Sequence, residues 1–188
     1  MDEKRRRSRE EILREAEEKG FANERDYHGC CQSVLAALQD VFDLRDDNVF
    51  RAGSGLAGGI GLTSESCCGG LAAGCLFLGQ LIGRRRDPDG SFGDKENYRF
   101  KAYKYCQILA EYFFDEYGSA NCADIQKEKM DGKHYVLAES DQFQAFVKRG
   151  GHTHICPEVA GKAARWTAEV VLDNLEDLGL ADRIQPEG

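Results

Sequence analysis

The sequence contains no run of about 18 apolar residues, so it offers no helix able to cross a membrane. Its opening, MDEKRRRSREEILREAEEKG, has no apolar h-region, and the expectation is a cytoplasmic protein without a signal peptide. No Pro/Gly/Ser-rich linker interrupts the chain and no internal repeat is visible, so its 188 residues are expected to build one core. In that reading 1–18 form a charged N-terminal helix, 19–178 the core and 179–188 a tail. Positive charge is in deficit: the formal net charge is −8 and the pI ≈ 5.1, which argues against nucleic acid as a partner. Acidic residues closely follow the basic clusters Lys4–Arg7 and Arg84–Arg86, which therefore read as solvated helix ends.

Several cofactor signatures are also missing. There is no C-x-x-C, hence no thioredoxin-like motif and no zinc ribbon, no C-x-x-C-H for covalent haem, and no ferredoxin cysteine run. GSGLAG (Gly53–Gly58) formally fits G-x-G-x-x-G, but it follows a helical segment instead of a strand and no P-loop lysine accompanies it, so a dinucleotide or phosphate site is not expected. DPDG (Asp87–Gly90) begins like a calcium loop without the remaining ligand spacing and reads as a turn.

Cysteine, by contrast, is abundant. Eight occur, at positions 30, 31, 67, 68, 75, 106, 122 and 156, and three of them crowd the stretch TSESCCGGLAAGCLFLGQLIG. In a reducing compartment stable disulfides are rare, so metal binding or redox chemistry is the better reading of that number.

The apolar periodicity is helical throughout, with no sustained strand alternation; the expected fold is an all-α, single-domain helical bundle with a Gly-rich loop. Helices are expected over Ser8–Lys19, over a segment whose buried face is Cys31, Val34, Leu35, Leu38, Val41 and Phe42, briefly to Phe50, over Gly69–Gly83, over Tyr98–Tyr117, from YGSANC onward, and over Pro157–Leu178. Residues 53–61 form the glycine-rich loop, and 131–153 read as irregular or short-helical.

On this map Cys75 and Cys106 fall inside helices on apolar faces, where cysteine acts as a small hydrophobe. Cys30, Cys68, Cys122 and Cys156 instead fall at helix beginnings: after Gly29, before Gly69-Gly70, three residues beyond a candidate N-cap at Ser119, and just before Pro157. A helix N-terminus favours the thiolate, the form that ligates metal or attacks disulfides, so four such cysteines on four helices could converge on one centre. His154 beside Cys156 is a conceivable further ligand, although a surface histidine is the simpler reading. Glu65 and Glu158 also neighbour these cysteines and read as loop or first-turn charges.

Four blocks in order, GCCQSVLAALQDVF (29–42), GLAGGIGL with CCGGLAAG (55–74), EYGSANCADIQ (116–126) and CPEVAGKAARWTAEVVLD (156–173), resemble the redox-active proteins named for their C…GCAxxG…C…C cysteine pattern. The resemblance spans nearly the whole chain and places the pattern cysteines at Cys30, Cys68, Cys122 and Cys156. It implies a helical redox protein. The family also resembles the N-terminal part of split-Soret cytochromes, which implies an iron-sulfur centre and a homodimer; no haem-attachment motif is present here, so haem is not implied. Cys31 and Cys67 double two pattern positions, and Gly70 stands where the pattern has alanine.

The leading expectation is therefore an iron-sulfur cluster on Cys30, Cys68, Cys122 and Cys156, exchanging electrons with a redox partner protein or a small-molecule donor or acceptor. Two alternatives stay open. One is a metal-free thiol-disulfide oxidoreductase with a low-pKa cysteine such as Cys68 as nucleophile; the other is a structural zinc-binding interaction module.

Overall fold

The structure, a computed structural model, describes residues 7–184 and Pro186. Among these residues the architecture is all-helical, and none of the helices is long and apolar enough to cross a membrane. Of the basic cluster Lys4–Arg7, only Arg7 lies among the described residues, where its guanidinium pairs with Glu15 at 2.6 Å and donates to the Val41 carbonyl. Arg84–Arg86 are exposed, as a solvated cluster should be.

Helix α1 (Arg9–Tyr27) starts where the sequence says it should: the Ser8 hydroxyl accepts from the Glu11 N–H while the Glu11 carboxylate accepts from the Ser8 N–H, a reciprocal capping box. It then runs eight residues past the expected end at Lys19, continuing through Gly20. The reason is tertiary. Gly20 sits against α8 (Cys156–Leu172), where a Cβ would stand 2.8 Å from the Ala160 carbonyl oxygen and 2.9 Å from Ala164 Cβ. On the facing helix, a Cβ at Gly161 would stand 2.9 Å from the Glu17 oxygen. Two glycines thus let the helices approach closely, and packing outweighs the roughly 1 kcal/mol that glycine costs in a helix.

Helix α2 (Cys30–Phe42) buries the expected stripe: Cys31, Val34, Leu35, Leu38, Val41 and Phe42. After the short α3 (Asp47–Ala52), capped by the Asp46 carboxylate, the chain makes a 3₁₀ turn at Gly53–Leu56. Helix α4 (Gly69–Ile82) is apolar on nearly every side because it packs against α2, α5 (Tyr98–Tyr117) and α8. These five long helices share one core that includes Phe77, Leu78, Tyr105, Leu109, Phe113 and Val171. At roughly 1.5–3 kcal/mol per large side chain, that burial dominates the stability of the bundle.

The C-terminal part departs from expectation in one place. The last helix, expected to reach Leu178, ends at Leu172; the chain then turns so that Leu178 and Leu180 fold back onto the core. Within 131–153, read as irregular or short-helical, the structure has the short helix α7 (Ser140–Lys148), followed by a π-helical turn at Gly151–Ile155. Together with α6 (Cys122–Lys129) this region builds a second, smaller core of Met130, Leu137, Phe146 and Ile155.

Candidate functional site

Where the two cores meet there is a cavity of ≈ 60 Å³, several times the roughly 10–15 Å³ that one water requires. Cys30, Cys68, Cys122 and Cys156 all line it. Each comes from a helix start: Cys30, Cys122 and Cys156 are the first residues of α2, α6 and α8, and Cys68 is the N-cap of α4. The structure therefore brings together the four cysteines singled out from the sequence.

Local chemistry explains each placement. Gly29, at φ 82°, turns the chain out of α1 so that Cys30 opens α2. Pro157 occupies the first turn of α8, where its missing N–H is harmless. Cys68 and Cys122 are stitched together by backbone bonds, the Cys68 N–H donating to the Ala120 carbonyl at 2.9 Å and the Cys122 N–H to the Ser66 carbonyl at 2.8 Å. The cap of α6 is not Ser119, as expected, but Asn121, whose side-chain oxygen accepts from the Ala123 N–H at 2.8 Å. Ser119 is displaced to a supporting role, accepting from the Asn121 N–H and donating to Asp124.

Two of the four sulfurs accept hydrogen bonds. The Gly58 N–H points at Cys30 Sγ at 3.5 Å, and Gln126 Nε2 points at Cys122 Sγ at 3.6 Å. Cys68, the N-cap of α4, makes no side-chain capping bond. Gln126 is itself held, its Oε1 accepting from the Tyr135 N–H at 2.9 Å and its Nε2 reaching Ser64 Oγ at 3.2 Å.

One wall of the cavity is strained. Gly58, Gly59, Ile60, Gly61 and Leu62 all have φ between 58° and 69°, a left-handed turn that includes a β-branched residue. Such a conformation costs about 1–2 kcal/mol per non-glycine residue. It is held by Leu62 N–H to Ala57, Ser64 N–H to Gly58, and the Ser64 hydroxyl to the Tyr135 carbonyl at 2.7 Å.

The electrostatics reverse the sequence expectation. Burial pushes the thiols of Cys30, Cys68, Cys122 and Cys156 above the ordinary cysteine range, because burial outweighs the favourable helix ends. Neighbouring cysteines raise all four further, and the Glu24 carboxylate does the same for Cys30 and Cys156. Glu24 is 2 % exposed; its carboxylate accepts from Ser33 Oγ at 3.0 Å, and Nδ1 of His152 lies 3.6 Å away without a hydrogen-bond partner. Both residues line the cavity.

Glu24, Gln126 and His152 were not found from the sequence. Glu24 sits in an acid-rich segment that reads as a solvated helix face, and only its i, i+4 register with Ile12, Ala16 and Gly20 marks it as inward. His154 is exposed beside Thr153 and lies outside the cavity, which takes His152 instead. Glu65 and Glu158 are surface charges, as read, lying near His134 and Lys129.

Among the described residues no group of three or more His, Cys, Asp or Glu side chains converges closely enough to hold a single metal ion. Four cysteines spread around a cavity, with N–H donors on the sulfurs of Cys30 and Cys122 and an apolar surround, form a donor set of the kind that suits a polynuclear centre. Gly69 adds to that fit: a Cβ there would overlap Cys30 Sγ, so the residue after Cys68 is bare where a neighbouring sulfur needs room.

No curated protein and no solved structure matches the chain. The family model described as "putative redox-active protein (C_GCAxxG_C_C)" matches residues 28–170, from just before the first pattern cysteine to the last turn of α8. That match covers well over half of the sequence and all four cavity cysteines, and the chain belongs to this family of redox-active proteins.

Proposed function

We propose that the chain is an iron-sulfur redox protein whose cluster is held by Cys30, Cys68, Cys122 and Cys156. The observation that carries this reading is the convergence of these four cysteines, from four helix starts, on one cavity. Without a positive centre the site is electrostatically unfavourable for thiolates: burial and mutual repulsion keep the four thiols protonated. Binding of a cationic centre would release those protons and join the four helix starts.

A bound cluster would supply one-electron transfer. The chain's own residues do the rest. Gly58 and Gln126 donate to the sulfurs of Cys30 and Cys122 and orient them, with Ser64 holding Gln126; Leu62, Ile125, Leu137 and Phe146 exclude water from the cavity. Electrons would come from a redox protein or a small-molecule donor.

The zinc module is less well supported because, among the described residues, no group of donors converges closely enough to hold a single ion. Metal-free thiol-disulfide exchange at this site is less well supported because burial raises Cys68 away from the nucleophilic thiolate. The test is the ultraviolet-visible spectrum of anaerobically purified protein together with iron and acid-labile sulfide. Broad visible absorption with equimolar iron and sulfide is expected. A colourless chain that takes up no iron and sulfide on reconstitution would overturn the reading.

A further inference from the structure

A groove of ≈ 560 Å³ opens at the opposite end of α4 from Cys68, between the last residues of α4, the start of α5 and the segment after α8. The 14 residues of α4 set it about 20 Å from the cysteine cavity. Its volume falls within the roughly 300–1,000 Å³ typical of small-molecule sites. The glycine run at 53–58 takes no part in it.

Cations from three chain segments line this groove: Arg85 from the loop after α4, Lys101 one turn into α5, and Arg183 from the C-terminal segment. In a chain of net charge −8 acidic partners are plentiful; Arg9 takes Asp173 at 2.8 Å and Arg165 takes Glu10 at 3.1 Å. Among the described residues neither Arg85 nor Arg183 has an ion pair or a side-chain hydrogen bond. Of the two carboxylates in the lining, Asp177 is already engaged, accepting from the Tyr105 hydroxyl at 2.6 Å and standing 3.9 Å from Lys101. Glu176 is exposed to solvent. The two guanidiniums are left without a counter-charge.

The start of α5 adds to the positive side. Its N-cap, Asn97, makes no side-chain bond, and among the described residues only Arg99, of the first three N–H groups, is bonded, to the Asp94 carboxylate. Tyr98, the first residue of this helix and 37 % exposed, brings an aromatic ring to the lining, and Ile82 and Leu180 bring apolar surface.

We propose that this groove binds a mononucleotide-sized organic phosphate. A terminal phosphate offers three oxygens, enough for Arg85, Arg183 and Lys101 to share, and its charge suits the free N–H groups of α5. The ring system of the ligand lies against Tyr98 and the apolar surface beside it. Occupancy ties the segment after α8 to α4 and α5 and leaves the cysteines untouched, so the site is independent of the cluster.

Isothermal titration calorimetry on the full-length, anaerobically purified protein tests this, with adenosine 5′-monophosphate and flavin mononucleotide as probes. Adenosine, riboflavin and inorganic phosphate are the controls. At least one nucleotide should bind once per chain, more tightly than its dephosphorylated form or phosphate alone, and its affinity should fall with added salt. Arg85→Gln and Arg183→Gln should each weaken that binding about tenfold or more, as loss of a charge-assisted hydrogen bond does. Far-ultraviolet circular dichroism and iron content should stay at the parent level in both variants. The proposal is overturned if neither nucleotide binds at millimolar concentration, if the dephosphorylated form or inorganic phosphate binds as tightly as the nucleotide, or if both variants bind as the parent does.

Discussion

Cys30 Sγ rests on the bare α-carbon of Gly69, so that any side chain at 69 would occupy the position of the sulfur. Two candidate ligands, Cys30 and Cys68, are thus spaced by a residue that contributes no atoms beyond its backbone. Gly69→Ala should displace Cys30 while leaving α4 intact. We expect iron and visible absorbance to fall several-fold with unchanged far-ultraviolet circular dichroism, at a stability cost of roughly 1–3 kcal/mol for overpacking. Iron retained at the parent level would place Cys30 outside the ligand set.

Gln126 supports Cys122 from the next turn of α6 and is fixed by Ser64 and Tyr135. Gln126→Leu keeps the volume and removes the N–H donor. Iron affinity is expected to drop about 10- to 100-fold, as it does when an outer hydrogen-bond partner of a metal ligand is lost. Competition with a chelator measures it, and an unchanged half-point would show that this bond is incidental.

The α1–α8 contact makes a prediction with opposing contributions. Gly20→Ala gains about 1 kcal/mol of helix propensity. It also drives a methyl group onto the Ala160 carbonyl and Ala164 Cβ, and a backbone oxygen inside a helix cannot swing away. Overpacking of roughly 1–3 kcal/mol should win, lowering Tm by a few degrees in a scan of the anaerobic protein. A raised Tm would mean that the helices separate freely.

Tyr105, fully buried in the core, donates its hydroxyl to Asp177 at 2.6 Å and so ties the segment after α8 to α5. Burial first, then the Asp177 carboxylate, pushes the Tyr105 phenol up to about 12. The unfolded phenol ionises near pH 10. The contribution is therefore complete below about pH 10 and lost as pH rises toward 12. Asp177, lowered by the same bond, contributes above its ordinary range and loses that contribution in acid. Tyr105→Phe should be less stable at neutral pH, and the gap to the parent protein should close between about pH 10 and 12 in thermal scans. A gap constant across that window would remove Tyr105 as its source.

Much of the bundle is legible in the sequence because α2, α4 and α8 advertise themselves: each combines a strong apolar stripe with a start signal at Gly29, Gly69-Gly70 or Pro157. The four cavity cysteines were legible for the same reason, since a cysteine beside a helix start is visible without coordinates. Their electrostatics were not. A helix end argues for a low thiol pKa, and only the assembled cavity reveals that burial is larger. Asn121 displaced Ser119 as the α6 cap because both are good capping residues two positions apart, and the choice is set by the backbone bonds that hold Cys122 beside Ser66. Helix α1 passed through Gly20 because a helix on the far side of the sequence needed that gap, which no local pattern encodes.

The central claim is that Cys30, Cys68, Cys122 and Cys156, and not the other four cysteines, hold the redox centre. Iron bound per chain after anaerobic reconstitution, measured across all eight single Cys→Ser variants, tests it most directly. Substitution at 30, 68, 122 or 156 should each sharply reduce iron and visible absorbance, while substitution at 31, 67, 75 or 106 should leave both near the parent level. Iron that survives every one of the first four substitutions, or that depends equally on all eight cysteines, would contradict it.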